Sequence, residues 1–247
     1  MPIVKFELQL TEKKLLTPKI VRLSFTRADG EKLGFIPGQF ITFDFEHNGK
    51  IVKRSYSIAS LQTPAEQIEI AVSPVAKGLA TTIFENLKTS ETLNASGPYG
   101  RLILPTTDLP KQIVLVATGT GVAPYRAMLP QIETLLKSFP TTQFTLLFGV
   151  QYRQDLFYVE DFLSLANKEK NFVFRAYLSR EENLNAPYEQ KGYVQSAFTE
   201  LNLDATNDLV FLCGNPNMID DAFALLVDAG FPTGHVKREK YISAPTR

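Results

Sequence analysis

The chain has 247 residues and 44% of them are hydrophobic, which is enough for one large or two small domains with buried cores. Lysine and arginine together number 26, as do aspartate and glutamate, so the formal net charge is zero and broad affinity for nucleic acid or anionic membranes is not expected. One cysteine, Cys213, rules out an internal disulfide and a cluster held by four cysteines, and no apolar run reaches the roughly 18 residues of a membrane span.

The first 105 residues predict an antiparallel β-barrel, because apolar and polar residues alternate in short runs separated by turns. Alternation is clearest at 21–26, 41–45 and 68–72, and RSYSIAS at 54–60 reads as a further strand. Asn48-Gly49 between two such runs is the strongest hairpin signal in the chain. The one helix expected here is short, at about residues 78–87.

From residue 106 onward, continuous apolar runs alternate with amphipathic segments of helical length, which is typical of strands buried on both faces. Five strands are predicted, at 113–117, 144–150, 172–178, 209–213 and 235–242. Helices are predicted at 124–137, 156–167, 193–201 and 216–229. The pattern predicts a doubly wound α/β domain with a five-stranded parallel sheet, so we expect domains at 1–105 and 106–247. Ligands of such sheets bind at the carboxyl ends of the strands.

The turn after the first parallel strand reads ATGTGVAPYRAM. Gly119 and Gly121 permit a tight turn, and a helix that begins near Pro124 directs free N–H groups towards an anion. The dinucleotide fingerprint is incomplete, because Pro124 stands where its third glycine would be. The turn therefore fits a phosphate site and an ordinary β-α connection equally well.

Three other predicted strands end in polar or small residues that would share this edge of the sheet. Cys213 ends the fourth strand, where a thiol is either part of a ligand site or a small buried hydrophobe. Ser179 and Arg180 end the third strand and suit a phosphomonoester, although an exposed arginine beside glutamates is often only a surface charge. Arg153, after the second strand, adds another positive charge at the same rim.

In the barrel half, the residues of the RSYS stretch have the chemistry of a flavin site. Arg54 offers a guanidinium to a pyrophosphate, Tyr56 a flat ring for stacking, and Ser57 a hydroxyl for a ring nitrogen. The stretch 78–81 would present backbone N–H groups at the start of the short helix, as a second anion site.

Five short motifs follow one another along the chain: Arg54-Ser55-Tyr56-Ser57, Gly78-Leu79-Ala80-Thr81, Gly97-Pro98-Tyr99-Gly100, Gly119-Thr120-Gly121-Val122-Ala123-Pro124 and Cys213-Gly214-Asn215-Pro216-Asn217-Met218. In this order, and with a barrel pattern before a parallel-sheet pattern, they resemble the bacterial-type ferredoxin-NADP reductase family. The resemblance implies an FAD-binding antiparallel barrel followed by an NADP-binding domain, with the nicotinamide meeting the flavin at the domain cleft.

The resemblance also implies roles for individual residues. The implied FAD-binding residues are Arg54, Ser55, Tyr56, Ser57, Ala71, Val72, Ser73, Gly78, Leu79, Ala80, Thr81, Thr120 and Tyr241. The implied NADP-binding residues are Gly119, Thr120, Gly121, Arg153, Ser179, Arg180, Cys213, Gly214 and Met218. The implied catalytic residues are Ser57, Cys213, Glu239 and Tyr241. The Ser179-Arg180 pair is similar to the pair that holds the 2′-phosphate of NADP in the family.

The sequence departs from the family pattern in two places. Tyr193 follows Gly192 where several bacterial relatives carry a further arginine, which weakens the preference for NADP. The chain also continues over residues 242–247 past Tyr241, the position of the family's terminal aromatic residue. We expect this extension to lie over the FAD adenine, and Tyr241 to cover the isoalloxazine and to move for hydride transfer.

The expected function is that of a cytoplasmic, monomeric, FAD-dependent enzyme without a metal. It would pass a hydride between NADPH and FAD, and single electrons between reduced FAD and a separate ferredoxin or flavodoxin. One alternative is the reductase component of an oxygenase or a free flavin reductase. A second alternative, from a different class, is a non-catalytic electron-transfer or binding subunit of the same fold. The physiological acceptor, the direction of electron flow and the strictness of NADPH over NADH stay open.

Overall fold

The computed structural model describes residues 3–242, and these form two compact units. The first unit comprises residues 3–103 together with 123–128, and the second comprises 104–122 and 129–242. The segment 243–247, to which most of the expected extension over the flavin belongs, lies outside the described residues. None of the helices in the described part is long and apolar enough to cross a membrane.

The first unit contains an antiparallel sheet of six strands and a short helix. The strands are β1 (Val4–Thr17), β2 (Ile20–Arg27), β3 (Phe40–His47), β4 (Lys50–Ser57), β5 (Ile68–Val72) and β6 (Thr92–Tyr99), and the helix is α1 (Leu79–Asn86). Their order in the sheet is β4-β3-β6-β1-β2-β5. The two outer strands are joined by an antiparallel bridge between Ile58 and Ile70, which closes the sheet into the predicted barrel.

The barrel forms because alternating strands bury one row of side chains each, as the sequence predicts. Phe25, Phe43 and Phe45 are fully buried within it, and the ring of Phe84 in α1 packs edge-on against Phe43 and Phe45. The predicted hairpin at residues 48–49 joins β3 to β4, with positive φ at both turn residues, as a type I′ turn requires.

The long strand β1 was not assigned from the sequence. It pairs with β2 along one edge and with β6 along the other, and its register with β2 shifts twice, at Leu10/Glu12 and Leu15/Thr17. The apolar residues Phe6, Leu8 and Leu10 alternate only in its first half, whereas the polar stretch after Leu10 interrupts the pattern. Bulges of this kind let one strand bend around a closed barrel.

The second unit has a parallel sheet with helices between its strands. The strands are β7 (Gln112–Thr118), β8 (Gln143–Val150), β9 (Phe172–Leu178), β10 (Glu189–Lys191), β11 (Leu209–Gly214) and β12 (Val236–Lys240). The helices are α2 (Ala123–Ser138), of which residues 123–128 belong to the first unit, α3 (Val159–Lys168), α4 (Phe198–Leu201) and α5 (Pro216–Asp228). The doubly wound parallel sheet was predicted, but with five strands. The sixth, β10, has three residues and too little apolar character to be recognised.

The order of the parallel sheet is β10-β9-β8-β7-β11-β12. Successive strands β7, β8, β9 and β10 run outward on one side, whereas β11 and β12 lie on the other side of β7. The topological switch point therefore lies between the carboxyl ends of β7 and β11, where open parallel sheets bind their ligands.

Two predicted helices differ from the observed ones. The segment 193–201 is not one helix, because a 3₁₀ turn at Val194–Ala197 precedes the single turn of α4. Helix α3 begins at Val159, three residues later than predicted, after Tyr158 with a positive φ of 61°. Both segments are short, and tertiary packing decides their geometry more than periodicity does.

The first unit is fastened by a buried ion pair. Nη1 of Arg126, in the 123–128 segment, donates to the carbonyl oxygen of Ala59 at 2.7 Å and lies 2.5 Å from Oε2 of Glu69. Nη1 of Arg22 lies 3.5 Å from the other oxygen of the same carboxylate. Arg126 and Glu69 side chains are 10% and 14% exposed, so removal of one partner leaves a charge with little water around it.

We expect the Arg126→Met substitution to lower the free energy of unfolding by about 3 kcal/mol, because it leaves the Glu69 carboxylate buried beside Arg22 alone. Denaturant titration followed by circular dichroism measures the loss. The control is Lys137→Met, which removes an exposed pair with Glu133 on α2 and costs less than about 0.5 kcal/mol. Equal losses in the two variants would contradict the stabilising role of the buried pair.

Candidate functional site

Arg54 and Tyr56 lie on the same face of β4. Register pairs Arg54 with Phe43 and Tyr56 with Ile41, two fully buried residues of β3. The Tyr56 ring packs edge-on against Phe84 of α1, at 5.4 Å between centroids, and burial raises the pKa of its phenol to about 12. Tyr56 is therefore a neutral, half-buried ring held at a fixed angle by its aromatic neighbours.

The guanidinium of Arg54 is available for an anion. Its Nη1 donates to the carbonyl oxygen of Lys53 at 2.8 Å, and within residues 3–242 it makes no ion pair with a carboxylate. Strand alternation places Ser55 and Ser57 on the opposite face, where the hydroxyl of Ser55 lies 2.9 Å from that of Thr42. A ligand that contacts both Tyr56 and Ser57 must therefore reach around the end of β4.

The predicted segments 71–73 and 78–81 flank one loop of the first unit. Ala71 and Val72 are buried in β5, and Ser73 is exposed directly after it. At the start of α1, the first helical bond runs from Thr82 N to Gly78 O at 2.9 Å, so the N–H groups of 79–81 have no acceptor within the helix. No side-chain cap is present, and these donors are those that an anion needs.

In the second unit, glycines bring the two strand ends at the switch point into contact. A Cβ on Gly121 would lie 2.3 Å from the carbonyl oxygen of Cys213, and one on Gly214 would lie 2.5 Å from that of Thr118. The hydroxyl of Thr118 accepts a hydrogen bond from Asn215 N at 3.0 Å. Side chains are excluded here, so backbone forms the surface beside Thr120.

The turn at Gly119–Val122 is a 3₁₀ helix that leads directly into α2. No side chain caps the amino end of α2, and Pro124 occupies one of its first positions, as predicted. Met218, another predicted contact, lies in the first turn of α5 and is largely buried in the hydrophobic core of this unit. Asn215 caps α5 by accepting from Asn217 N at 2.8 Å.

Cys213, Glu239 and Tyr241 lie together at the carboxyl edge of β11 and β12. Cys213 is opposite Glu239 in the register, and Tyr241 N donates to Gly214 O at 2.8 Å. Cys213 is fully buried, and burial raises its pKa well above the usual value; the Glu239 carboxylate raises it further, whereas a hydrogen bond with the Tyr241 side chain lowers it. The thiol is therefore uncharged at physiological pH.

Ser179 and Arg180 lie at the carboxyl end of β9, on the same edge of the sheet. Their backbone N–H groups donate to the carbonyl oxygens of Val150 and Gln151 at 3.0 and 2.9 Å, which fixes their position against the end of β8. The Arg180 side chain is exposed, and in the described part of the chain its guanidinium has no ion-pair partner.

Arg153 has a different environment. Its Nε and Nη2 donate to the two oxygens of Glu189 at 2.6 and 2.8 Å, in a two-pronged pair, and Nη2 also donates to Asn183 O at 2.7 Å. The hydrogen bonds from Arg153 lower the pKa of Glu189 to about 2, which keeps that buried carboxylate ionised. The guanidinium of Arg153, which the family resemblance assigns to NADP binding, is therefore paired with the Glu189 carboxylate in this structure.

Two groups at this edge were missed in the sequence. Glu189 was overlooked because an isolated glutamate in a polar stretch reads as a surface residue, yet its side chain is 0% exposed. Lys191 ends β10 and pairs with Leu178 of β9. Gly192 N donates to the carbonyl oxygen of Leu178 at 3.1 Å. Lys191 and the 70% exposed Tyr193 thus lie beside the end of β9, a position that only the pairing of β10 reveals.

Two family models match the chain, one for each half. The oxidoreductase FAD-binding domain matches residues 7–103 and the oxidoreductase NAD-binding domain matches residues 115–223. The chain thus combines an FAD-binding domain with an NAD-binding domain, in the order that the sequence predicted.

Several known proteins are similar to this chain in sequence or in structure. Ferredoxin-NADP reductase B of Sorangium cellulosum is 33% identical over 243 residues, 96% of this chain and 97% of that protein. The toluate 1,2-dioxygenase electron transfer component of Pseudomonas putida is 25% identical over 97% of this chain and 68% of its own length. Among solved structures, an Amycolatopsis cytochrome P450 reductase, GcoB, is 26% identical with a TM-score of 0.82, covering 97% of this chain and 70% of that one.

A ferredoxin NADP+ reductase from Neisseria gonorrhoeae, solved with bound FAD and NADP, shares the fold at a TM-score of 0.81 and 22% identity, over 96% of this chain and 98% of that one. The barrel, the parallel sheet, both family models and the full-length similarity to the Sorangium protein agree. The chain therefore belongs to the ferredoxin-NADP reductase family of FAD-dependent oxidoreductases.

Proposed function

We propose that this protein is a ferredoxin- or flavodoxin-NADP(+) reductase, with its domains divided between residues 105 and 106. It passes a hydride between NADPH and FAD, and single electrons between reduced FAD and a separate ferredoxin or flavodoxin. The observation that carries the choice of NADPH is Arg180, an exposed guanidinium without an ion-pair partner in residues 3–242 at the ligand-binding edge of the sheet.

The spacing of the sheet supports this nucleotide site. β8 separates β7 from β9, so the glycine turn after β7 and Arg180 after β9 are about 10 Å apart at two strand spacings. A dinucleotide phosphate at the glycine turn would leave its adenosine end near Arg180. Lys191 offers a second cation there, and the exposed ring of Tyr193 offers a stacking surface for adenine.

The residues of the first unit fit a flavin dinucleotide. Arg54 and the three free N–H groups of 79–81 supply the positive ends that a pyrophosphate requires. Tyr56 supplies an uncharged ring, and the Ser57 hydroxyl supplies a polar contact at the end of β4. FAD, when bound, supplies the chemistry that interconverts hydride transfer and single-electron transfer.

At the proposed nicotinamide end, the chain's own groups act by shaping the site and orienting the co-substrate. Gly121 and Gly214 let the ends of β7 and β11 approach each other closely, so that backbone forms this part of the proposed site. Cys213 lies beneath this position and adds no charge there, because burial keeps its thiol protonated. Glu239 lies opposite Cys213, where we propose that it orients the nicotinamide amide, and Tyr241 borders the same position.

A second candidate function is favoured by the similarity to the toluate dioxygenase component and to the cytochrome P450 reductase. In that case the protein would reduce the iron-sulfur or haem partner of an oxygenase. Since one cysteine cannot hold a four-cysteine cluster, such a partner would bind as a separate domain or protein.

Anaerobic titration of the purified flavoprotein tests the proposal. We expect NADPH to bleach the flavin absorbance at a lower concentration than NADH does, and subsequent addition of ferredoxin or flavodoxin to restore it. Faster bleaching by NADH, with reoxidation only by an oxygenase component or free flavin, would favour the second candidate. Absence of bleaching by either nucleotide would contradict both.

Tyr56→Leu tests the flavin-stacking role separately from the fold. Leucine retains much of the apolar contact with Phe84 but has no ring face, so FAD affinity should fall about fivefold to tenfold, as expected for the loss of an aromatic stack. Tyr56→Phe is the control and should retain FAD. Equilibrium dialysis of FAD measures the effect, and equal affinity of the two variants would disprove stacking by Tyr56.

Arg180→Gln tests the phosphate-binding role. Loss of a charge-assisted hydrogen bond should raise KM for NADPH about tenfold to a hundredfold and leave KM for NADH unchanged. Steady-state kinetics with both nucleotides provides the measurement. The control is Arg175→Gln, which removes an arginine of β9 that pairs with Glu200 at 2.9 Å, and it should alter neither KM. A parallel rise in both constants would argue against a 2′-phosphate contact.

A further inference from the structure

The segment between β9 and β10 begins at Arg180 and carries little regular structure, yet a pair of side chains holds it in place. Glu189 accepts from the backbone N–H groups of Asn185 and Ala186 at 2.6 and 3.3 Å, in addition to its two bonds from Arg153. Its carboxylate thus has four donors and no exposed surface.

Arg153 fixes the first half of the same segment. Its Nη2 donates to Asn183 O at 2.7 Å, and its backbone N–H donates to Oε1 of Glu181 at 2.8 Å. Its Nη1 lies 3.8 Å from that oxygen. The ion pair therefore reaches four residues of the segment, namely Glu181, Asn183, Asn185 and Ala186.

Two carboxylates of this segment pair with Arg153, and Arg180 has no ion-pair partner within residues 3–242. Glu181 is next to Arg180 in sequence, but its carboxylate contacts Arg153. Glu189 is bound to Arg153 as well, and its side chain is 0% exposed. Both carboxylates thus contact Arg153, and Arg180 makes no ion pair in the described part of the chain.

We propose that the Arg153–Glu189 ion pair is a positioning device that sets the preference for a 2′-phosphorylated nucleotide, by holding the 181–189 segment that follows Arg180. This inference rests on the proposed NADPH site at Arg180. It gives Arg153 a positioning role, in place of the direct contact with NADP that the family resemblance implies. Arg153 and Glu189 act through Arg180 and are positioning residues, not catalytic ones.

Arg153→Lys separates the two roles, because lysine keeps the positive charge but cannot form the two-pronged pair. The measurement is isothermal titration calorimetry of the FAD-loaded protein with 2′,5′-ADP and with 5′-AMP. If Arg153 positions the segment, binding of 2′,5′-ADP should weaken about tenfold, because Arg180 moves away from the 2′-phosphate. The affinity for 5′-AMP should stay within about twofold of that of the unmodified protein. Direct contact predicts nearly unchanged binding of 2′,5′-ADP, because an ammonium also pairs with phosphate.

Glu181→Ala is a second test. An effect of charge alone and an effect of positioning predict opposite changes in the affinity for 2′,5′-ADP. Removal of a negative charge beside Arg180 would strengthen phosphate binding if charge alone mattered. Positioning predicts weaker binding of 2′,5′-ADP, because the backbone of Arg153 loses its acceptor. The Glu181 side chain is 23% exposed whereas that of Glu189 is 0% exposed, so this variant is expected to fold even if Glu189→Gln does not. Stronger or equal binding would overturn the inference.

Two controls distinguish failure of this inference from failure of the proposed function. Arg175→Lys alters an arginine of β9 that pairs with Glu200, outside the segment, and should leave both affinities unchanged. Arg180→Gln should weaken 2′,5′-ADP binding strongly; if it does not, the NADPH site itself is wrong. If Arg180→Gln weakens binding whereas Arg153→Lys and Glu181→Ala do not, only the positioning role is overturned.

Discussion

The contact between the ends of β7 and β11 constrains the nucleotide-binding half of the molecule. Gly121 and Gly214 each face the backbone of the other strand end at distances that no side chain could occupy. The bond from Asn215 N to the hydroxyl of Thr118 holds the two turns together. This contact brings the glycine turn, the buried thiol and the start of α5 to one place, at the switch point of the sheet.

In the proposed function the two halves would hold nucleotides by different physical means. In the barrel, Tyr56 packs against Phe43 and Phe84, and its ring stays uncharged near neutral pH. In the parallel sheet, the candidate groups are backbone N–H groups and exposed cations at the ends of the strands. Both would then present a preformed surface that loses little entropy when a nucleotide binds.

The sequence predicted the architecture well where periodicity is strong. The alternating runs at 21–26 and 41–45 became β2 and β3, and the continuous runs at 113–117 and 144–150 became β7 and β8. It did not predict the three residues of β10, because their position is set by pairing with β9 and not by their own composition.

Site chemistry was harder to predict than fold. The residue types at Arg54, Tyr56 and Arg180 indicate anion and ring binding, and these roles stay predictions; in the structure Tyr56 is uncharged, and neither arginine makes an ion pair within residues 3–242. The ion pair of Arg153 could not be predicted from a local sequence motif. Its partner Glu189 is 36 residues away in sequence, and only the pairing of β9 with β10 makes the contact. A long-range ion pair of this kind leaves no local pattern.

The burial of Cys213 has a consequence for the chemistry that such a protein handles. Peroxide and other oxidants attack the thiolate form of cysteine, and they need access to the sulfur. Cys213 has neither charge nor exposed surface, although it lies at the edge where reducing equivalents would pass. The chain's single thiol is therefore a poor target for oxidants, so catalysis near it does not require a separate means of keeping it reduced.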